Sequence, residues 1–266
     1  MTFYKDKVVW ITGASSGIGE ALAYTFTKQG SKLILSARRE NELERVKKKC
    51  ALADDRILVL PMDVGDIGRV HEHAQKALTH FGGIDILINN AGVSHWTKVK
   101  DLSLDVIRKI FDVNFFGGVV LTKAVLPYML GRKQGHIVVI SSILGKIIVR
   151  KQAAYTATKH ALQGFYDTLR IEVQDEGVNV LLVCPGFVRT DVARNSLNRD
   201  GVAINQDNEK IKKGLDPLYV SERILNAMVK GKDEIIVAGF PEKMGILLRR
   251  FFPSLFALFM RKGKLL

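Results

Sequence analysis

The stretch Val8-Val9-Trp10-Ile11-Thr12-Gly13-Ala14-Ser15-Ser16-Gly17-Ile18-Gly19 decides how the chain folds. A short apolar run breaks into three glycines and then into an amphipathic stretch that ends at Gly30. An apolar run without polar alternation reads as a strand buried on both faces. The glycines follow G-x-x-x-G-x-G rather than G-x-G-x-x-G. Gly13, Gly17 and Gly19 suit a tight turn, close approach of backbone to a pyrophosphate, and a helix N-terminus aimed at negative charge. Ile18 opens that helix, and Ser15 and Ser16 add hydroxyl donors. An ordinary strand-to-helix turn does not usually need three glycines, so the loop reads as a dinucleotide site.

Outward from this unit the same alternation repeats. Strands are expected over 7–12, 32–36, 56–60, 84–89, 136–141, 178–184 and 234–237. Helices are expected over 18–29, 40–53, 67–81, 104–130, from Tyr155 to 176, and over 217–229. The helix over 104–130 should bend near Gly117-Gly118 and Pro127. Short buried strands alternating with longer helices predict an α/β fold, a doubly wound, open parallel sheet with helices on both faces and right-handed crossovers. No Pro- or Ser-rich boundary and no repeat interrupts it. One domain is expected over 1–243, followed by a hydrophobic and basic extension over 244–266.

Ligands in such sheets bind beyond the carboxyl ends of the strands. After the second strand come Arg38 and Arg39, where a site for NAD usually carries an acid on the ribose 2′-hydroxyl. Guanidiniums suit a 2′-phosphate instead, which implies NADP(H). The alternative is that they cap a surface helix with Glu40. After the third strand, Asp63 and Val64 suit an adenine, although Asp63 also reads as a turn residue. After the fourth come Asn89, Asn90, Ala91 and Gly92, small or amide residues that let backbone approach a cofactor or tie strands together. After the sixth come Pro185, Gly186, Phe187, Val188 and Thr190, with groups for a nicotinamide carboxamide.

Tyr155 and Lys159 lie four apart, on one face of a helix. A phenol ordinarily titrates near ~10. A nearby ammonium is expected to lower that value and fit the tyrosine for proton transfer to or from a substrate oxygen.

The chain has 266 residues with 47% hydrophobic content and a net charge of +13, a globular protein suited to an anionic partner. No base-stacking motif or basic-aromatic ribbon points to nucleic acid. Two distant cysteines, Cys50 and Cys184, argue against a disulfide framework and for a reducing, cytoplasmic setting. His71, His73 and His80 form no convincing metal site. Only a few residues precede the first strand, so neither a signal peptide nor an N-terminal anchor is expected.

Taken in order, the glycine loop, Asn89 to Gly92, Asn114, Ser142, Tyr155, Lys159 and Pro185-Gly186 resemble the short-chain dehydrogenases/reductases over nearly the whole chain. Within that family the chain looks like the member 7B subgroup, on the stretches 136–146 and 154–161 and the C-terminal run. The resemblance implies a Rossmann-type sheet in strand order 3-2-1-4-5-6-7 and dimers or tetramers built on the two long helices. It also implies a catalytic tetrad of Asn114, Ser142, Tyr155 and Lys159. Ser142 would hydrogen-bond the substrate oxygen, Lys159 would also hold the nicotinamide ribose, and Asn114 would hold a water that links Lys159 to solvent. The activity implied is interconversion of a carbonyl and an alcohol on an apolar substrate such as a steroid, retinoid or lipid-derived ketone. A sensor or scaffold that binds NADP(H) without turnover is the alternative.

On the substrate side His95, Trp96, Leu144 and Phe187 suggest an apolar pocket, or packing. The polar stretch 191–216 reads as a substrate lid or as a disordered surface segment. The run 244–260, flanked by Arg261, Lys262 and Lys264, is too short and interrupted to span a bilayer. Membrane-surface contact, a subunit interface and packing under the substrate pocket all fit it.

Overall fold

The computed structural model describes residues 3–261. Seven strands form one parallel sheet: β1 (Val8–Thr12), β2 (Lys32–Ser36), β3 (Ile57–Val59), β4 (Ile86–Asn89), β5 (Gly135–Ile140), β6 (Val178–Pro185) and β7 (Glu234–Val237). Their order is β3-β2-β1-β4-β5-β6-β7, as the family resemblance implied. β1 pairs Thr12 with Ser36 on one side and Ile11 with Ile88 on the other. A strand so enclosed buries both faces, which is why its sequence is apolar without alternation.

Successive side chains of a strand point to opposite faces. Val9 and Ile11 accordingly enter one core with α1 (Gly17–Lys28), α2 (Glu40–Cys50) and α8 (Pro217–Val229), whose Leu22, Phe26, Leu43 and Ile224 are buried there. Val8 and Trp10 enter the other, with α3 (Ile67–Phe81), α5 (Gly117–Gly131) and α6 (Ala153–Val173), through Ala74, Leu121, Val125 and Tyr166.

Several boundaries move. α2 stops at Cys50 because Ala51 turns left-handed at φ 52°. α6 stops at Val173, tightens over Gln174–Glu176, and is ended by Gly177 at φ 75°. The helix expected over 104–130 is α4 (Leu104–Phe111), a π-helical turn over Asp112–Phe116, and then α5. The irregularity thus falls before Gly117, and Pro127 sits inside α5. Leu104–Gly131 is long and apolar enough to cross a membrane by length and composition. Here it packs on the sheet through Leu121, Val125 and Met129.

The stretch 191–216 is packed and hydrogen-bonded over the strand ends. Leu197 pairs with both His95 and Ala203, Leu197 N–H donates to the Ser94 carbonyl at 2.8 Å, and α7 (Glu209–Lys212) follows. Beyond β7 the chain forms α9 (Phe240–Phe251) and α10 (Pro253–Arg261), broken at Phe252-Pro253. Lys262 and Lys264 lie outside the described residues.

Candidate active site

The carboxyl ends of β1, β4, β5 and β6 open into one cleft of about 1130 Å³. At its first end the glycine loop turns tightly. Gly13 and Gly17 have φ of 65° and 59°. A Cβ on Gly19 would lie 2.3 Å from the Gly13 carbonyl oxygen, so no larger residue fits. Ser16 precedes α1 without a side-chain cap, which leaves first-turn N–H groups unpartnered where Ser15, Ser16, Gly17 and Ile18 line the cleft. Such a cradle suits a phosphate. Arg45 braces it from behind: its guanidinium donates to the Ser15 carbonyl at 3.2 Å and pairs with Glu20 at 2.7 Å. That pair holds Glu20 below the usual carboxylate range.

Arg38 and Arg39 are exposed on the rim, with Arg39 Nη2 3.4 Å from Ser15 Oγ. Asp63 and Val64 line the same wall. Asp63 Oδ1 also accepts from Gly65 N–H at 2.9 Å, so it is a turn residue as well as a lining residue. The two asparagines divide their work. Asn89 faces the core, donating to Thr122 Oγ1 at 2.9 Å and Tyr166 OH at 3.1 Å. Asn90 donates to the Thr12 carbonyl at 2.8 Å and locks β4 to the glycine loop. Ala91, Gly92, Pro185, Gly186, Val188 and Thr190 complete this half of the lining.

At the other end Ser142, Tyr155 and Lys159 meet. Lys159 Nζ lies 5.4 Å from the Tyr155 ring centroid and donates to the Ile140 carbonyl at 2.8 Å. Burial pushes the Tyr155 phenol up to about 12, against an opposing hydrogen bond from Ser142. Burial also pushes Lys159 down to about 8. The expected lowering of the phenol by the ammonium is therefore corrected: desolvation outweighs it while Lys159 is turned to a backbone carbonyl. Ser142 Oγ accepts from Leu144 N–H at 3.1 Å, which fixes the hydroxyl.

Asn114 sits in the π-helical turn and is buried, not on a helix surface. Its Oδ1 accepts from Val93 N–H at 2.8 Å, and its Nδ2 donates to the Val93 carbonyl at 2.9 Å and to Thr158 Oγ1 at 3.1 Å. A Cβ on Gly92 would stand 3.5 Å from Asn114 Oδ1 and 3.8 Å from Lys159 Nζ, so glycine leaves space between them.

Trp96, Leu144 and Phe187 line the cleft. His95, expected beside them, does not. It is fully buried behind the wall, where its Nε2 accepts from Ala154 N–H at 3.0 Å. Ala154 belongs to the first turn of α6, whose N–H groups lack helical partners. His95 thus caps the catalytic helix from another segment, and burial keeps its pKa below the usual value. Sequence reading missed Val93, Ser94, Val149, Gln152 and Ile204, which also line the cleft. Gln152, three residues before Tyr155, carried a usable signal; the others depend on long-range packing.

A family profile described as short chain dehydrogenase matches residues 7–201. The chain belongs to the short-chain dehydrogenase family. It is similar to the dehydrogenase/reductase SDR family protein 7-like of Drosophila melanogaster, at 43% identity over 96% of this chain and 80% of that one. It is 53% identical to the human member 7 over 72% of this chain and 58% of that one. The mouse member 7B is 36% identical over 96% and 80%. Among solved structures, a Burkholderia phymatum enzyme of the family in complex with NAD superposes with a TM-score of 0.85, at 27% identity over 96% of each chain. A metagenomic short-chain oxidoreductase in complex with NADP gives 0.74, at 26% identity over 88% of this chain and 97% of that one. A nicotinamide cofactor and oxidoreductase chemistry at CH–OH groups follow from this membership.

Proposed function

We propose that this short-chain dehydrogenase uses NADP(H) to interconvert a carbonyl and an alcohol on an apolar substrate. One observation carries the reading: a single cleft runs from Arg38 and Arg39 at one end to Ser142, Tyr155 and Lys159 at the other. No acid stands beside Ala37, Arg38 and Arg39 in its lining. Two exposed guanidiniums favour a 2′-phosphate and an acid would favour a bare ribose.

The residues that would hold the cofactor are the glycine loop, Arg38, Arg39, Asp63, Val64, Asn90 to Gly92, and Pro185 to Thr190. When bound, the nicotinamide supplies the redox equivalent. The protein's own share is proton movement and charge stabilisation. A phenol raised to about 12 is protonated at neutral pH, so Tyr155 serves as proton donor to a carbonyl oxygen. In reverse its phenolate accepts the alcohol proton. Ser142 donates to the same oxygen and stabilises developing charge. Lys159 holds the ribose and returns a proton to Tyr155. The gap at Gly92 supports a water between Asn114 and Lys159, which would connect the pair to solvent. Trp96, Leu144 and Phe187 give the substrate an apolar wall, and 191–216 acts as a lid over it.

The test is nucleotide-dependent turnover on a panel of ketones and aldehydes, with Tyr155→Phe and Arg39→Glu beside the wild type. NADPH consumption lost in Tyr155→Phe, and a preference moved toward NADH in Arg39→Glu, are expected. A wild type that prefers NADH would overturn the cofactor reading. Tight NADPH binding without turnover of any carbonyl would favour a sensor. The exposed Phe116 on the turn before α5 and Ile171 on α6 support a homodimer or homotetramer on these helices, to be read by analytical ultracentrifugation. The free, buried Cys50 and Cys184 support a cytoplasmic setting, which cell fractionation would check.

A further inference from the structure

α9 and α10 carry two apolar faces, and the fold uses one. On the inner face, Phe256 is fully buried against Ile143, Leu144 and Ile147, the segment that follows Ser142. Arg150, at the end of that segment, donates to the Arg261 carbonyl. The outer face is different. Phe240, Met244, Leu247 and Phe251 are 75%, 45%, 48% and 64% exposed. At 3.6 residues per turn these four fall within roughly 60° of one another on α9. Phe252, Leu255 and Leu258 continue the exposed apolar surface across the break and onto α10. A solvent-facing stripe of this length is not scattered surface hydrophobicity.

Charge chooses the occupant. Lys243 and Arg250 flank the stripe at the next angular positions, and Arg261 ends it; all three are exposed. The acidic residue of 240–261 is Glu242, which turns inward toward Gly186 and Gly239. A second copy seated on this face would bring its own basic flank against this one, in a chain of net charge +13. An anionic lipid surface satisfies both features, since it takes apolar side chains among its acyl chains and basic ones at its headgroups. We propose that the outer face of α9–α10 docks the protein peripherally on an anionic membrane. The cluster under Phe256 also contains Leu144, Val149 and Tyr155, which line the cleft, so docking brings the cleft wall to the lipid. The proposal does not depend on which nucleotide or carbonyl the cleft takes, because vesicle binding is read without either.

The experiment is co-sedimentation of the full chain with vesicles of phosphatidylcholine alone and of phosphatidylcholine with phosphatidylglycerol. Wild type should pellet with the phosphatidylglycerol vesicles and be released by salt. Leu247→Glu with Phe251→Glu should reduce the bound fraction at least about tenfold, since burying charge in the acyl region is unfavourable. Lys243→Glu or Arg250→Glu should each weaken binding roughly fivefold or more. These side chains are exposed, so the variants should keep the wild-type unfolding transition, measured in parallel. Wild type left in the supernatant, or a double variant that binds as wild type does, overturns the proposal. Vesicle-blind wild type that sediments as a dimer split by the double variant would assign the face to a second copy and overturn it too.

Discussion

Replacing His95 with alanine tests whether a residue behind the cleft sets the catalytic helix. The imidazole is fully buried and its Nε2 accepts from Ala154 N–H, one residue before Tyr155. Nδ1 then carries the proton, and it has no partner. Removing the ring strands the Ala154 N–H in a site that is 5% exposed. A buried donor left unmade costs ~1–3 kcal/mol. The ring also leaves a cavity of roughly 60 Å³, worth about 1.5 kcal/mol at ~24 cal/mol per Å³. The sum is about 3 kcal/mol, a large part of a typical stability of ~5–15 kcal/mol. A shift of ~1 Å in the first turn of α6 would also lower kcat by about 100-fold. The assay is urea unfolding together with NADPH-dependent turnover, with His95→Gln as the variant that keeps an acceptor. His95→Ala should lose about 3 kcal/mol and His95→Gln should recover part of it. His95→Ala within ~0.5 kcal/mol of wild type with kcat unchanged would refute the capping role. A raised KM alone would return His95 to the substrate wall.

Asn114→Ala removes three hydrogen bonds from a buried amide and strands the Val93 backbone groups. A loss of about 3 kcal/mol in urea unfolding is expected, with NADPH affinity reduced because Val93 follows the cofactor wall. Acid should destabilise the fold through histidine. His136 is pushed down to about 4 by burial, from an ordinary 6.5. Its folded pKa is depressed, so the stabilisation is complete above 6.5 and is lost as pH falls from there through about 4. The shift corresponds to at most about 3 kcal/mol, and His95 contributes with the same sign. Unfolding free energy measured across that window should decline, and His136→Gln should flatten the decline.

The sheet was legible in the sequence because its signals are local. β1 is apolar because both its faces are covered, and glycines follow because Gly19 cannot carry a Cβ beside the Gly13 carbonyl. The spacing of Ser142, Tyr155 and Lys159 was legible for the same reason: one strand end and one helix face suffice to bring them together. What only tertiary structure decided lies where distant segments meet. His95 is 59 positions from Ala154, and nothing local distinguishes a histidine that lines a pocket from one that caps a helix behind it. Asn114 owes its burial to a π-helical turn held by Val93. The direction of the Tyr155 shift depends on desolvation by the whole fold and on the Ile140 carbonyl that takes Lys159. The C-terminal run showed its apolar and basic character in sequence. Which of its residues cover the Ser142 segment and which face outward was set by packing, since composition fixes how much apolar surface a helix has and only its neighbours fix how much they cover.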